Sequence, residues 1–236
     1  MNFPVGILRS YIGANIFLVV LIMATNANAL EQPEYEVLYK DGKLEYRMYK
    51  PYIVAETVME VDHSYRGTAN QGFMRLFRYI SGDNTARVDI AVTAAVKIKQ
   101  RSEKIAMTAP VQRVDTENGV RMAFMIPSKF TMDSVPLPQD ERIELRQVPA
   151  KLMAVLRYSG RWSEKNFKHY EAKLRDYVAA AGIDILGPAE SAAYNPPFMP
   201  PFMRRNEVMF EVSSHPSGQS AQLATIAGQA DSLTGQ

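Results

Sequence analysis

Gln71, Met74, Arg75 and Arg78 stand at i, i+3, i+4 and i+7, so on a helix they share one stripe. Two guanidiniums on such a stripe can grip the carboxylates of a ligand through paired hydrogen bonds; the other reading is a solvated arginine face. Met48, in Tyr46-Arg47-Met48-Tyr49, carries a thioether that can ligate a metal, although methionine more often fills a core. The three histidines are scattered. His63 lies in a polar approach to a helix, where its loop could fold over a cleft, His169 falls off an apolar stripe, and His215 sits near the C-terminus. Glu45, Glu144 and Glu207 are candidate acids or bases, and their spacing selects none of them. Met107, Phe198, Met199, Phe202 and Met203 either pack in a core or line an adaptable apolar mouth. G-x-S-x-G, H-E-x-x-H, a P-loop and a dinucleotide fingerprint are missing, so hydrolase, metalloprotease and nucleotide-dependent readings lose their usual support. With no cysteine, disulfides, thiolate metal sites and covalent C-x-x-C-H attachment are excluded.

Two similar stretches must position these groups. Leu44-Glu45-Tyr46-Arg47 followed by Ile53-Val54-Ala55 precedes, by 99 positions, Ile143-Glu144-Leu145-Arg146 followed by Leu152-Met153-Ala154. Both alternate as half-buried strands do, and each leads through a polar segment into an amphipathic helix. The first helix is expected from about Thr68 to Ser81, stopped by Gly82, with Ala69, Phe73, Leu76, Phe77 and Ile80 toward the core. The second begins after the N-cap Ser163 and stops at Gly182, with Phe167, Tyr170, Leu174, Tyr177, Val178 and Ala181 as its stripe. Val88 to Ile98, Gly119 to Ile126 and Glu207 to Val212 read as strands, with the Glu117-Asn118-Gly119 turn making a hairpin. Strand, helix and strands twice over predict an α+β domain with a mainly antiparallel sheet or open barrel carrying two helices. The repetition predicts a pseudo-two-fold axis, and a cleft between the halves is a natural ligand site.

Three segments then carry a resemblance. Ser102-Glu103-Lys104-Ile105-Ala106-Met107-Thr108-Ala109-Pro110-Val111 looks like the K-I-x-M-T-x-P-V signature of the SOUL haem-binding family. Tyr194-Asn195-Pro196-Pro197 with Arg204-Arg205-Asn206-Glu207-Val208 is similar to its Y-x-x-P…R-R-N-E-V signature, and Tyr46-Arg47-Met48-Tyr49 to its Y-E-x-R-x-Y strand. Together, and in order, they span roughly residues 34–212. The resemblance implies two βαββ-type repeats related by a pseudo-two-fold axis, forming a distorted, mainly antiparallel β-barrel flanked by two α-helices. It also implies non-covalent binding of haem or another porphyrin in an apolar cleft beside the first helix, without catalysis as a general property. Arg78 before Tyr79 matches the family's basic residue before an aromatic, and Phe73 matches a ligand-facing apolar position. The candidate binding set is therefore Met48, Phe73, Met74, Arg75 and Arg78. Met48 stands where some members carry a histidine, which makes it the candidate axial ligand. The signature segments are expected to serve the fold, with Met107-Thr108-Ala109-Pro110 ending a strand and Arg205 pairing with Glu207. Related folds include small-molecule hydrolases, so hydrolysis by a cleft carboxylate is one alternative. A ligand-free interaction protein of the envelope is the other.

The ends have their own character. Arg9 is the only charge before Glu31, Ile16 to Ala24 is an unbroken apolar run, and Ala27-Asn28-Ala29 has the small-x-small cleavage pattern. Residues 1–29 therefore read as a secretory signal, leaving a periplasmic protein that begins at Leu30, with an uncleaved N-terminal anchor facing the periplasm as the alternative. Without Arg9 the 27 basic residues become 26 against 25 acidic ones, a balance that does not suggest nucleic acid. Residues 213–236 are rich in Ser, Gly, Gln, Ala and Thr and read as a disordered tail outside a 30–212 domain.

Overall fold

The computed structural model describes residues 30–60, 65–87, 102–117 and 119–216. The first twenty-nine residues, His63, the expected strand from Val88 to Ile98 and most of the expected tail lie outside them. All elements belong to the compact unit that begins at Glu31. In chain order they are β1 (Tyr35–Asp41), β2 (Leu44–Tyr49), β3 (Tyr52–Met59), α1 (Tyr65–Ser81), β4 (Asn84–Thr85), β5 (Val111–Thr116), β6 (Gly119–Met125), β7 (Leu137–Pro138), β8 (Ile143–Val148), β9 (Lys151–Tyr158), α2 (Glu164–Ala180), β10 (Glu190–Ala193), a 3-10 turn (Pro201–Met203) and β11 (Asn206–Glu211).

Nine strands form one antiparallel sheet in the order β1-β2-β9-β11-β10-β5-β6-β3-β8, curled into a half-barrel; β4 and β7 pair separately. The fold is thus α+β with a distorted barrel and two helices. Leu44–Tyr49, Tyr52–Met59 and Tyr65–Ser81 recur 99 positions later, residue for residue, as Ile143–Val148, Lys151–Tyr158 and Glu164–Ala180. The runs β2-β9-β11-β10 and β8-β3-β6-β5 lead inward to meet at β10 and β5.

Each helix buries its stripe on the same face of the sheet. α1 packs on β3 and β6, joining Leu76, Tyr79 and Ile80 to Ala55, Met122 and Phe124; α2 packs on β9 and β11 through Phe167, Leu174 and Val178. The helices start near each other, where Tyr65 meets Trp162 edge-on at 6.3 Å. The N-cap at Ser163 is as expected, its hydroxyl accepting from the Asn166 amide. The buried face of α1 is rotated from expectation. Gly72 and Tyr79 point inward, while Phe77 is exposed. This side of the helix is seated closely on β3: a Cβ on Gly72 would lie 2.4 Å from Met59 Sδ, so a larger residue there would have to displace the end of the Met59 side chain. On α2, Tyr177 is likewise exposed.

The first signature segment does not end a strand. Residues 102–110 lie outside the sheet and Pro110 immediately precedes β5, a position where its missing N–H costs no ladder bond. Thr108 anchors the segment by donating to the Met125 carbonyl at 2.6 Å. The hairpin that follows matches the expected turn, with Thr116 opposite Gly119. Gly119 has φ +139°, and a Cβ there would stand 2.1 Å from the Met59 carbonyl oxygen, so this corner admits no side chain.

Candidate ligand-binding site

The outward side of α1 carries an apolar strip. Met74 and Phe77 are 40% and 41% exposed, and Phe77 stacks on half-buried Phe73 with centroids 6.0 Å apart and planes 11° from parallel. Phe73 is held in turn by Phe124 of β6, edge-on at 5.3 Å. The two arginines of the expected stripe divide. Arg75 reaches inward, donating to Thr57 Oγ1 at 2.6 Å and lying 3.9 Å from Asp140. Burial, then the neighbouring Arg142, draw its pKa below the ordinary arginine value. Arg78 is exposed and its guanidinium has no ion pair or hydrogen bond among the described residues. The result is a flat apolar surface edged by one available cation.

A second apolar feature rises from the same end of the sheet. Pro196-Pro197-Phe198-Met199 is followed directly by Pro200-Pro201-Phe202-Met203, and Phe198 and Phe202 are 86% and 78% exposed. Core packing is therefore not what these two rings or Met203 do. Arg204 shapes the loop by donating to the carbonyls of Met199, at 2.7 Å, and Pro197. The loop leaves the sheet at Ala193, which faces Val111, which faces Phe124 beneath Phe73. Two strand spacings, about 10 Å, thus separate its base from the strand under the α1 strip. Met107, by contrast, packs partly buried against the core beneath α1.

Met48 is not brought to this strip. It lies on β2 between Glu36 and Leu152, in the half of the sheet that carries α2, and is 37% exposed. Alternation puts it on the same face as Tyr46, which packs under α2. His169 is an exposed α2 residue beside Tyr170, and His215 contacts the Pro216 carbonyl.

The concave face between the halves is not a greasy groove. At one place Arg47 meets Glu207 through two hydrogen bonds of 3.0 Å, joined by Tyr194 at 2.6 Å and Arg205 at 2.8 Å. Four signature residues, Arg47 of β2 with Tyr194, Arg205 and Glu207, thereby form one buried network, and the expected Arg205–Glu207 pair is part of it. Elsewhere the face holds a cavity of about 190 Å³, lined by ion pairs that sequence reading missed: Glu56 with Arg146 at 2.7 Å and Lys151 with Glu190 at 2.7 Å. The one local signal was a glutamate inside Ile53-Val54-Ala55-Glu56-Thr57-Val58. A larger cavity of about 690 Å³ is lined by apolar residues such as Ile53, Ile126 and Phe130 together with Glu31, Asp133 and the ion pair of Lys50 with Glu34 at 2.7 Å.

Of the candidate carboxylates, Glu45 and Glu207 share the Arg47 guanidinium and Glu144 stands apart. Burial pushes Glu45 up, but hydrogen bonds from Lys40 and Arg47 outweigh it and its pKa falls; Glu207 behaves likewise under Arg47, Arg205 and Tyr194. Glu144 is exposed on the edge strand β8. Neither lowered group is a proton donor near neutral pH.

A profile of the family described as SOUL heme-binding protein matches residues 30–211. Heme-binding protein 1 of Xenopus laevis is 27% identical over 145 residues, covering 60% of this chain and 70% of that protein. Among solved structures, the EcmrR C-terminal domain aligns with a TM-score of 0.54 at 10% identity, over 77% of this chain and 99% of that one. The EcmrR chain in a DNA complex aligns at 0.53 and 11%, over 86% and 65%. At such identities these last two likenesses concern the fold alone.

Proposed function

Because the chain belongs to the SOUL heme-binding protein family, we propose that it binds haem or a related tetrapyrrole non-covalently, as a carrier or buffer, on the outward side of α1. The observation that carries this reading is the Phe73–Met74–Phe77 strip with Arg78 at its margin. Haem requires a broad apolar surface and cations for its propionates, with an axial ligand optional. The strip offers the surface, Arg78 the charge, and the exposed Phe198–Phe202 loop a second apolar wall. The other spaces fit poorly. About 190 Å³ is below the range of pockets for ligands of drug size, and in the larger cavity the single lysine, Lys50, is already paired with Glu34 while Glu31 and Asp133 oppose a dianion. Bound haem would supply its iron and its visible absorption; the protein's residues exclude water from one macrocycle face and pair with a propionate. Met74, rather than Met48, is the thioether on the strip.

Titrating haem into the protein is expected to shift and sharpen the Soret band. Arg78→Glu is expected to weaken binding roughly tenfold, since it both removes an attraction and adds a repulsion, each of about 0.5–1 kcal/mol at an exposed site. Unchanged affinity in that variant overturns the assignment of Arg78.

We read residues 1–29 as an export signal and place the mature protein in the periplasm. The family match starting at residue 30 supports the boundary, and among the described residues no helix is long and apolar enough to cross a membrane. The intact mass of the protein recovered from the envelope is expected to correspond to a chain starting at Leu30; a mass that includes the leader refutes cleavage. The exact recurrence of element bounds across 99 positions supports reading the two halves as copies of one plan.

A further inference from the structure

We propose that the concave cavity of about 190 Å³ is a separate binding site for a small zwitterion. Its charges are sorted by wall. On the β3, β6 and β8 side, Glu56 stands with two arginines, Arg146 in a two-point hydrogen bond at 3.0 and 2.7 Å and Arg121 at 3.8 Å. That wall is net positive by one. On the β9, β10 and β11 side, Lys151 stands with two glutamates, bonding Glu190 at 2.7 Å while Glu211 lies within its electrostatic reach. That wall is net negative by one. All six of these residues line the same cavity.

The donors and acceptors that solvent, not the protein, occupies follow the same sorting. Arg121 makes no hydrogen bond to Glu56, at 3.8 Å, and Arg146 uses only Nε and one terminal nitrogen. Donors are thus left over on the positive wall. On the negative wall the Glu211 carboxylate accepts no side-chain hydrogen bond among the described residues, and Glu190 accepts one, from Lys151, on a single oxygen. Between the walls, Val114, Ala123, Val148 and Pro188 supply an apolar lining. An anion alone would leave the glutamates facing it, and a cation alone would face the arginines. A molecule with both charges and a short apolar body complements both walls. The volume corresponds to about six waters at roughly 30 Å³ each, which suits an amino acid and excludes a porphyrin. The site is therefore independent of the α1 strip.

Calorimetric titration of the full chain compares leucine, whose charges share one carbon, and 5-aminopentanoate, whose charges sit at opposite ends, with pentanoate and pentylamine, which keep one charge each. At least one zwitterion is expected to bind roughly tenfold more tightly than both single-charge compounds. Arg121→Gln is expected to lose roughly tenfold in zwitterion affinity while leaving pentylamine unchanged, and Glu211→Gln the same loss while leaving pentanoate unchanged. Absence of zwitterion binding, or equal binding of either single-charge compound, overturns the proposal. So does undiminished zwitterion binding in both variants. If a variant does not fold, the ranking of the four compounds on the unaltered protein decides.

Discussion

Glu207→Ala is expected to lower the melting temperature by about 10 °C, the largest stability loss we expect from a single substitution. Glu207 is fully buried and Arg47 nearly so. The carboxylate accepts from Arg47, Arg205 and Tyr194, so its removal leaves a desolvated guanidinium without its main partner. Breaking a buried pair from one side costs about 3–5 kcal/mol, and the remaining 2.7 Å bond from Arg47 to Glu45 keeps the loss toward the lower end. For a domain of this size each kcal/mol moves the midpoint by roughly 2–4 °C. Acid should reproduce part of the effect. Burial alone would raise the Glu207 pKa, but the arginines and Tyr194 bring it below the ordinary glutamate value. A carboxyl whose folded pKa is depressed contributes stability above its unfolded pKa and loses it as pH falls toward the folded one. The midpoint of the unaltered protein should therefore fall from about pH 5 downward, with a shallower slope in Glu207→Gln. Thermal melts followed by circular dichroism across that range check both statements; parallel slopes would remove Glu207 from the account.

The same network shows what a linear sequence conceals. The alternation of Leu44-Glu45-Tyr46-Arg47 and the run from Glu207 to Val212 were each legible as strands, because such patterning is local. That Arg47 and Glu207 meet was not legible, since they are 160 positions apart. Helix stops at Gly82 and Gly182 were readable for the opposite reason: both adopt positive φ, a requirement that glycine meets by itself. The α1 stripe was half legible. Periodicity located the helix, but Phe77 and Tyr79 flank the same apolar sector, and Tyr79 is the ring inside, where its hydroxyl donates to the distant Pro136 carbonyl at 2.7 Å. The candidate site suffered likewise. Arg75 and Arg78 share a stripe in sequence, yet the Thr57 hydroxyl beneath one of them turns it inward. Glu56 was passed over because its partner Arg146 lies 90 positions away.

Phe77→Asp is expected to weaken haem binding roughly a hundredfold with little change in melting temperature, whereas Met48→Ala leaves both affinity and Soret position unchanged. Phe77 already stands 41% in solvent and contributes its stacked face mainly to Phe73, so the fold tolerates its loss. A macrocycle lying along the strip would cover the remaining ring surface, an apolar contact of about 1–2 kcal/mol. An aspartate there would be covered without a hydrogen-bonding partner, at a cost of about 1–3 kcal/mol, and would repel the propionates that Arg78 attracts. The sum is near 3 kcal/mol, or roughly two decades in the dissociation constant. Met48 belongs to the opposite half of the sheet, between Glu36 and Leu152, where a ligand on α1 does not reach it. Absorbance titrations of both variants separate the possibilities. Full binding by Phe77→Asp would move the ligand off α1, and a displaced Soret band in Met48→Ala would make the β2 thioether a ligand to the iron.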